Sequence, residues 1–128
     1  MKRFICPFIV FIVLIFCEGM FAQQLYTIYL NENVDSYVNP LEVTVHPGDQ
    51  IKFVSTGGDF DITIPNASNF LNVKGSTLKI QLTSSSPASQ IYDVVEIEDD
   101  IDQDYEVVHI LSGGVPTAPP RIIIRTTD

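Results

Sequence analysis

The sequence predicts an all-β fold, a Greek-key β-sandwich of about eight strands, and three observations carry that expectation. Apolar and polar residues alternate with a period of two through most of the chain, and the 3.6-residue period of an amphipathic helix is almost missing. Clusters of Gly, Pro, Asn, Asp and Ser interrupt the alternating runs at short intervals. Beyond the first two dozen positions there are about 100 residues without repeat, linker or low-complexity tract, a length suited to one domain.

The N-terminus has a different character. Lys2 and Arg3 precede an apolar run over residues 4–17, broken only by Pro7. That run has the length of a signal-peptide core and is too short to cross a bilayer of ~30 Å as a helix. Glu18 and Gly19 end it, and Ala22 supplies a small residue before Gln23. Residues 1–22 are therefore expected to be a signal peptide and residues 23–128 a single β-sandwich domain, secreted or periplasmic, with no transmembrane span after cleavage. An uncleaved anchor and a lipid at Cys17 are weaker alternatives; the bulky Phe16 argues against the second.

Cleavage there has a chemical consequence. Cys6, Cys17, Met1 and Met20 all lie in the leader, so the 106 residues that follow contain no sulfur. They form no disulfide and offer no thiolate nucleophile or sulfur ligand. An exported domain without disulfides leans toward a bacterial source, and Asn66-Ala67-Ser68 is a glycosylation sequon only in a eukaryotic one. The formal charge of the whole chain is −9; without Lys2, Arg3 and Glu18, five basic residues face fifteen acidic ones, a net of −10. Such a surface repels phosphate backbones and anionic lipid, so nucleic acid is excluded as a partner.

The strands follow in order. Residues 25–30 open the domain. Leu41, Val43 and Val45 alternate with Glu42 and Thr44; Ile51 and Phe53 flank Lys52; Phe60, Ile62 and Ile64 alternate with Asp61 and Thr63. Leu78, Ile80 and Leu82 alternate with Lys79 and Gln81. Residues 91–97, 105–111 and 121–126 carry adjacent apolar residues, which suits strands covered on both faces. Turn signals separate the runs, among them Asn39-Pro40, His46-Pro47-Gly48-Asp49, Gly57-Gly58 and Ser112-Gly113-Gly114.

Two stretches, about half of the domain, resemble a cupredoxin. Val43-Thr44-Val45-His46-Pro47-Gly48-Asp49-Gln50-Ile51-Lys52-Phe53 is similar to that family's strand–turn–strand entry, and Phe60 to Ile64 follow at its spacing. Tyr105-Glu106-Val107-Val108-His109, a Gly-containing loop and Arg121-Ile122-Ile123-Ile124 resemble its final ligand loop between the last two strands. The resemblance implies a cupredoxin-like sandwich, with an immunoglobulin-like one as the alternative. It also implies a missing centre. Phe60 stands where the first His ligand would be, His109 in the Cys position, Ser112 at the second His and Thr117 near the axial Met. A type 1 copper site needs a thiolate and two imidazoles, so neither that site nor electron transfer is expected.

The remaining polar residues give few leads. His46 precedes a Pro-Gly turn and reads as a solvated bystander, and His109 lies in an apolar strand; as ligands they would suit Cu at most. Residues 93–106 hold eight carboxylates in fourteen positions. Asp100, Asp102 and Asp104 are the candidate metal residues there, for Ca, but they lack the glycine and flanking helices of an EF-hand. The bland reading is a solvated acidic loop between Ile97 and Tyr105 that keeps a sheet edge from pairing with neighbours. The serines of residues 84–89 form a turn without a Gly-x-Ser-x-Gly elbow, and no pair of carboxylates stands out. The expectation is a non-enzymatic interaction or structural module of the periplasm or cell surface. It would have no catalytic residues and no cofactor, and would meet a protein or glycan partner. The alternative is a metal-binding protein, taking Ca through the acidic segment or Cu through histidine.

Overall fold

The structure is a computed structural model describing residues 23–126. The leader assigned to residues 1–22 lies outside the described residues. Ten strands follow one another: β1 (Leu25–Asn31), β2 (Val38–Asn39), β3 (Glu42–Val45), β4 (Gln50–Gly57), β5 (Phe60–Ile64), β6 (Leu78–Leu82), β7 (Tyr92–Asp93), β8 (Ile101–Asp104), β9 (Glu106–His109) and β10 (Arg121–Ile124). A single 3-10 turn at Ala67–Asn69 is the only helical element among the described residues. No helix there is long and apolar enough to cross a membrane.

The strands form three sheets, ordered β2-β1-β4-β7, β3-β10-β8 and β6-β5-β9. Two neighbouring pairs are parallel. β1 runs beside β4 from Leu25↔Gln50 to Leu30↔Ser55, with a register shift before Asn31, and β10 runs beside β3 from Arg121↔Glu42 to Ile124↔Val45. Only Tyr105 separates β8 from β9, so one run of chain belongs to β10's sheet at its start and β5's sheet at its end.

Period-two alternation sets which residues face inward. β3, β5 and β10 bury Val43 and Val45, Phe60, Ile62 and Ile64, and Ile122 and Ile124, and turn the residues between them outward or to partial cover. These side chains join Ile28, Leu30, Ile51, Phe53, Phe70 and Val107 in one core. Each large apolar side chain so buried contributes roughly 1.5–3 kcal/mol. Phe53 of β4 meets Tyr105 edge-on, centroids 5.8 Å apart and planes at 78°, and so links the β1–β4 sheet to the β8–β9 run. Sheets sharing one core in this way fit the sandwich expected.

The β3–β4 turn shows how sequence dictates the path. Pro47 presets the first turn position and Gly48 takes φ +96°, which a side chain resists, while Asp49 N–H bonds His46 O at 3.0 Å. The buried Asp49 carboxylate accepts His46 N–H at 2.9 Å and Gln24 N–H at 3.3 Å. β3 and β4 consequently leave this turn into different sheets.

The structure corrects three expectations. Among the described residues there are ten strands where about eight were expected, the additions being β2 and β8. Of residues 91–97 only Tyr92–Asp93 is strand; Val94 and Val95 instead bond the loop backbone at Gly48, Asp49 and Phe70. The acidic segment is not a loop throughout, because Ile101–Asp104 pairs antiparallel with β10. Alternation there puts Asp102 and Asp104 on the outer face, opposite the guanidinium groups of Arg121 and Arg125, which offset the repulsion that argued for a loop.

Candidate functional site

Phe60, His109 and Ser112 do meet, at one end of the molecule. Phe60 opens β5 and His109 closes β9, and the two are paired in register with ring centroids 5.3 Å apart. His109 is only 7% exposed, although it is a polar residue at the end of an apolar strand. Both of its ring nitrogens are engaged. Nδ1 lies 2.7 Å from Ser112 Oγ, and Nε2 lies 2.9 Å from Glu32 Oε1. The carboxylate only accepts, so the Nε2 proton points at Glu32. Ser112 Oγ accepts the Gly114 N–H at 3.0 Å, which leaves its own proton for Nδ1 of a neutral ring. If the ring is charged, Nδ1–H donates to Oγ instead, and every contact is kept.

The loop between β1 and β2 closes the cluster from above. Tyr37 stacks on the imidazole, centroids 5.5 Å apart and planes at 28°, and also touches Phe60 at 5.7 Å. This placement carries backbone strain: Ser36 and Tyr37 both take left-handed φ values, 64° and 65°. Such a conformation costs a non-glycine residue on the order of 1–2 kcal/mol. Hydrogen bonds offset it, from Asn31 N–H to Tyr37 O at 2.9 Å, Tyr37 N–H to Val34 O at 2.9 Å, and between the hydroxyls of Ser36 and Thr117 at 2.8 Å. Thr117 thus sits on the rim, bound to Ser36. Gly114 is required by close approach, because a Cβ there would run into the Tyr37 hydroxyl.

A hydroxyl, an imidazole and a carboxylate in series is the ordering of an acyl-transfer triad. Here Ser112 and His109 are three residues apart in one turn, closed by Gly113 N–H to His109 O at 2.7 Å. Ser112 Oγ also takes the Gly114 N–H, so the hydroxyl caps that turn. The arrangement locks the imidazole in place.

The carboxylates proposed for Ca do not converge. Asp104 Oδ1 receives Arg121 Nε at 2.8 Å, and Asp102 Oδ1 receives Arg125 Nη1 at 2.8 Å. Asp100 accepts the Thr126 N–H at 2.9 Å and lies 3.7 Å from Arg125 Nε. The Thr126 backbone bond, with its hydroxyl and Arg125 adding, holds the Asp100 carboxyl below its ordinary range. Alternate residues of a strand stand roughly 6.5 Å apart, so these carboxylates form a ladder with the arginines and not a cage. His46 lies in its exposed turn, 3.9 Å from Asp49, and takes no part in the His109 cluster. Among the described residues no three His, Cys, Asp or Glu side chains are placed to hold a metal ion.

Glu32 and Tyr37 are the site residues that the sequence did not disclose. The turn signal at Asn39-Pro40 lies just beyond their loop, and nothing in it pointed to a histidine 77 positions from Glu32. The same two loops carry exposed apolar side chains: Val34 from one, and Ile110, Leu111 and Val115 from the other, with Leu111 87% exposed.

No protein-family model matches the chain, and no curated protein is similar to it at a significant level.

Proposed function

We propose that this protein is an exported, cupredoxin-like β-sandwich without a type 1 copper site. It serves as a non-enzymatic interaction or structural module of the periplasm or cell surface. One observation carries the reading: Phe60, His109 and Ser112 come together where the resemblance would put the metal, yet Glu32 and Ser112 occupy both nitrogens of the His109 imidazole. A type 1 copper centre at this place would need a thiolate, and residues 23–128 contain no sulfur. The parallel pairing of β1 with β4 and of β3 with β10 supports the cupredoxin-like strand order over the immunoglobulin-like alternative. The exposed Val34, Leu111 and Val115 beside the closed cluster support contact with another macromolecule.

Titration of the purified protein with Cu²⁺ tests the reading. The expected result is no intense visible charge-transfer band. Tight, stoichiometric copper binding with such a band would overturn it.

A further inference from the structure

Ser112 differs from the other exposed serines. Its oxygen lies 2.7 Å from Nδ1 of the buried His109 imidazole, whereas Ser84, Ser85 and Ser86 are exposed with no histidine among their hydrogen-bond partners. The Nε2 proton points at Glu32, 2.9 Å away, so the neutral ring turns a proton-free Nδ1 to the hydroxyl. In the usual triad the hydroxyl meets Nε2 and the carboxylate meets Nδ1. The relay itself asks only for one proton-free nitrogen at the hydroxyl and one N–H on a carboxylate.

Two further groups favour negative charge at this place. Gly114 N–H donates to Ser112 Oγ at 3.0 Å. A serine oxygen has two lone pairs, so one remains for attack, and the N–H supports charge on the oxygen. The space above Gly114 that a Cβ would fill is flanked by Ser112 Oγ at 3.1 Å and by the Tyr37 hydroxyl. Among the described residues the Tyr37 hydroxyl makes no hydrogen bond, so its proton is available to an oxyanion formed on Ser112. Glu32 and Tyr37 also border a hollow of about 300 Å³ whose apolar lining is Val34 and Val115.

We infer that Ser112 is a reactive serine, an acceptor for a short acyl group carried by an activated carboxylic ester. Ser112 Oγ bonds the carbonyl carbon while its proton passes to His109 Nδ1. Tyr37 O–H donates to the tetrahedral oxyanion, and Glu32 faces the imidazolium that has formed. Collapse breaks the bond to the alcohol or phenol, which leaves with the proton held by His109, and the acyl group stays on Ser112. Ser112 is the nucleophile and His109 the base; Glu32 acts through the ring, as a positioning residue. The hollow beside Tyr37 receives the acyl chain. A single acylation is not turnover, so the reactive serine and the non-enzymatic reading are compatible and are tested apart.

The probe is p-nitrophenyl butyrate, followed by release of nitrophenolate and by mass mapping of the protein's peptides. The expected result is one equivalent of nitrophenolate and a butyryl group on Ser112, added about a hundredfold faster than to Ser84, Ser85 or Ser86. Ser112→Ala should abolish the release, and Tyr37→Phe should slow it about tenfold. Glu32→Gln should slow it to a similar degree and also move the His109 Nε2 proton resonance, which a merely structural side chain would leave in place. Butyryl groups spread evenly over the exposed serines, or an Ala variant as fast as the parent, would overturn the site. Nitrophenolate released well beyond one equivalent would keep the serine and remove the non-enzymatic reading instead.

Discussion

Replacing Tyr105 by Phe should make the protein more stable. Tyr105 is 2% exposed, and its ring packs against Phe53 in the core. Its hydroxyl has no hydrogen-bond partner among the described residues, and burial pushes the phenol well above its ordinary pKa. A buried polar group left unpaired costs roughly 1–3 kcal/mol. Removing the oxygen leaves a void on the order of 10 Å³, which at ~24 cal/mol per Å³ returns only about 0.2 kcal/mol of that. The net effect is a gain of about 1 kcal/mol or more, a rise of roughly 4–8 °C in Tm for a domain of this size. Urea unfolding followed by fluorescence measures it, as a higher midpoint with an unchanged slope. Tyr105→Ala, which also empties the ring's volume, should lose about 3–5 kcal/mol. A Phe variant less stable than the parent by 1 kcal/mol would refute the reasoning, and would mean that an ordered water satisfies the hydroxyl.

Gly114→Ala should destabilise by about 1–3 kcal/mol through its contact with the Tyr37 hydroxyl. Adding Tyr37→Phe should recover part of that loss in a double-mutant cycle, and strict additivity would count against the contact. Glu32→Gln should cost less than about 1 kcal/mol, since that side chain is 41% exposed, yet it should speed exchange of the His109 Nε2 proton in ¹⁵N spectra. An unaltered exchange rate would contradict the hydrogen bond. Asp100, held below its ordinary value of 3.8 in the fold, contributes stability that is present above that value and is lost as pH falls through the folded one. Asp100→Asn should therefore flatten the melting curve against pH below about pH 4, and an identical acid limb would remove the Thr126 contact from the explanation. Millimolar Ca²⁺ should leave Tm unchanged, because Asp102 and Asp104 already bind Arg125 and Arg121; a clear rise would show that the cation displaces them.

What could be read from the sequence is what local chemistry decides. β3, β5 and β6 follow from alternation over four or five residues, β10 from a run of adjacent isoleucines, and the β3–β4 turn from Pro47-Gly48. β2 is two residues long, too short to carry a period. β8 has the composition of a solvated loop. It is a strand because Arg121 and Arg125 lie across from its aspartates, 17 and 23 positions from the residues they bind. The site divides the same way. His109 was visible as the odd polar residue in an apolar run, and Ser112 lies in its own turn. Glu32 and Tyr37 reach them only through the arrangement of β1 and β2 against the far end of β9, which no local window contains.

β10 lies between β3 and β8, and it follows both in the chain; Arg121 and Glu42, paired across the parallel ladder, are 79 positions apart. A ribosome delivers β3 long before the neighbour that completes it, and contacts so distant in sequence are slow to form. Until residues 121–124 emerge, the apolar faces of Val43 and Val45 have no lasting cover in this sheet. The nascent protein is thus kept open by its own topology until the strand that joins β3 to β8 has emerged.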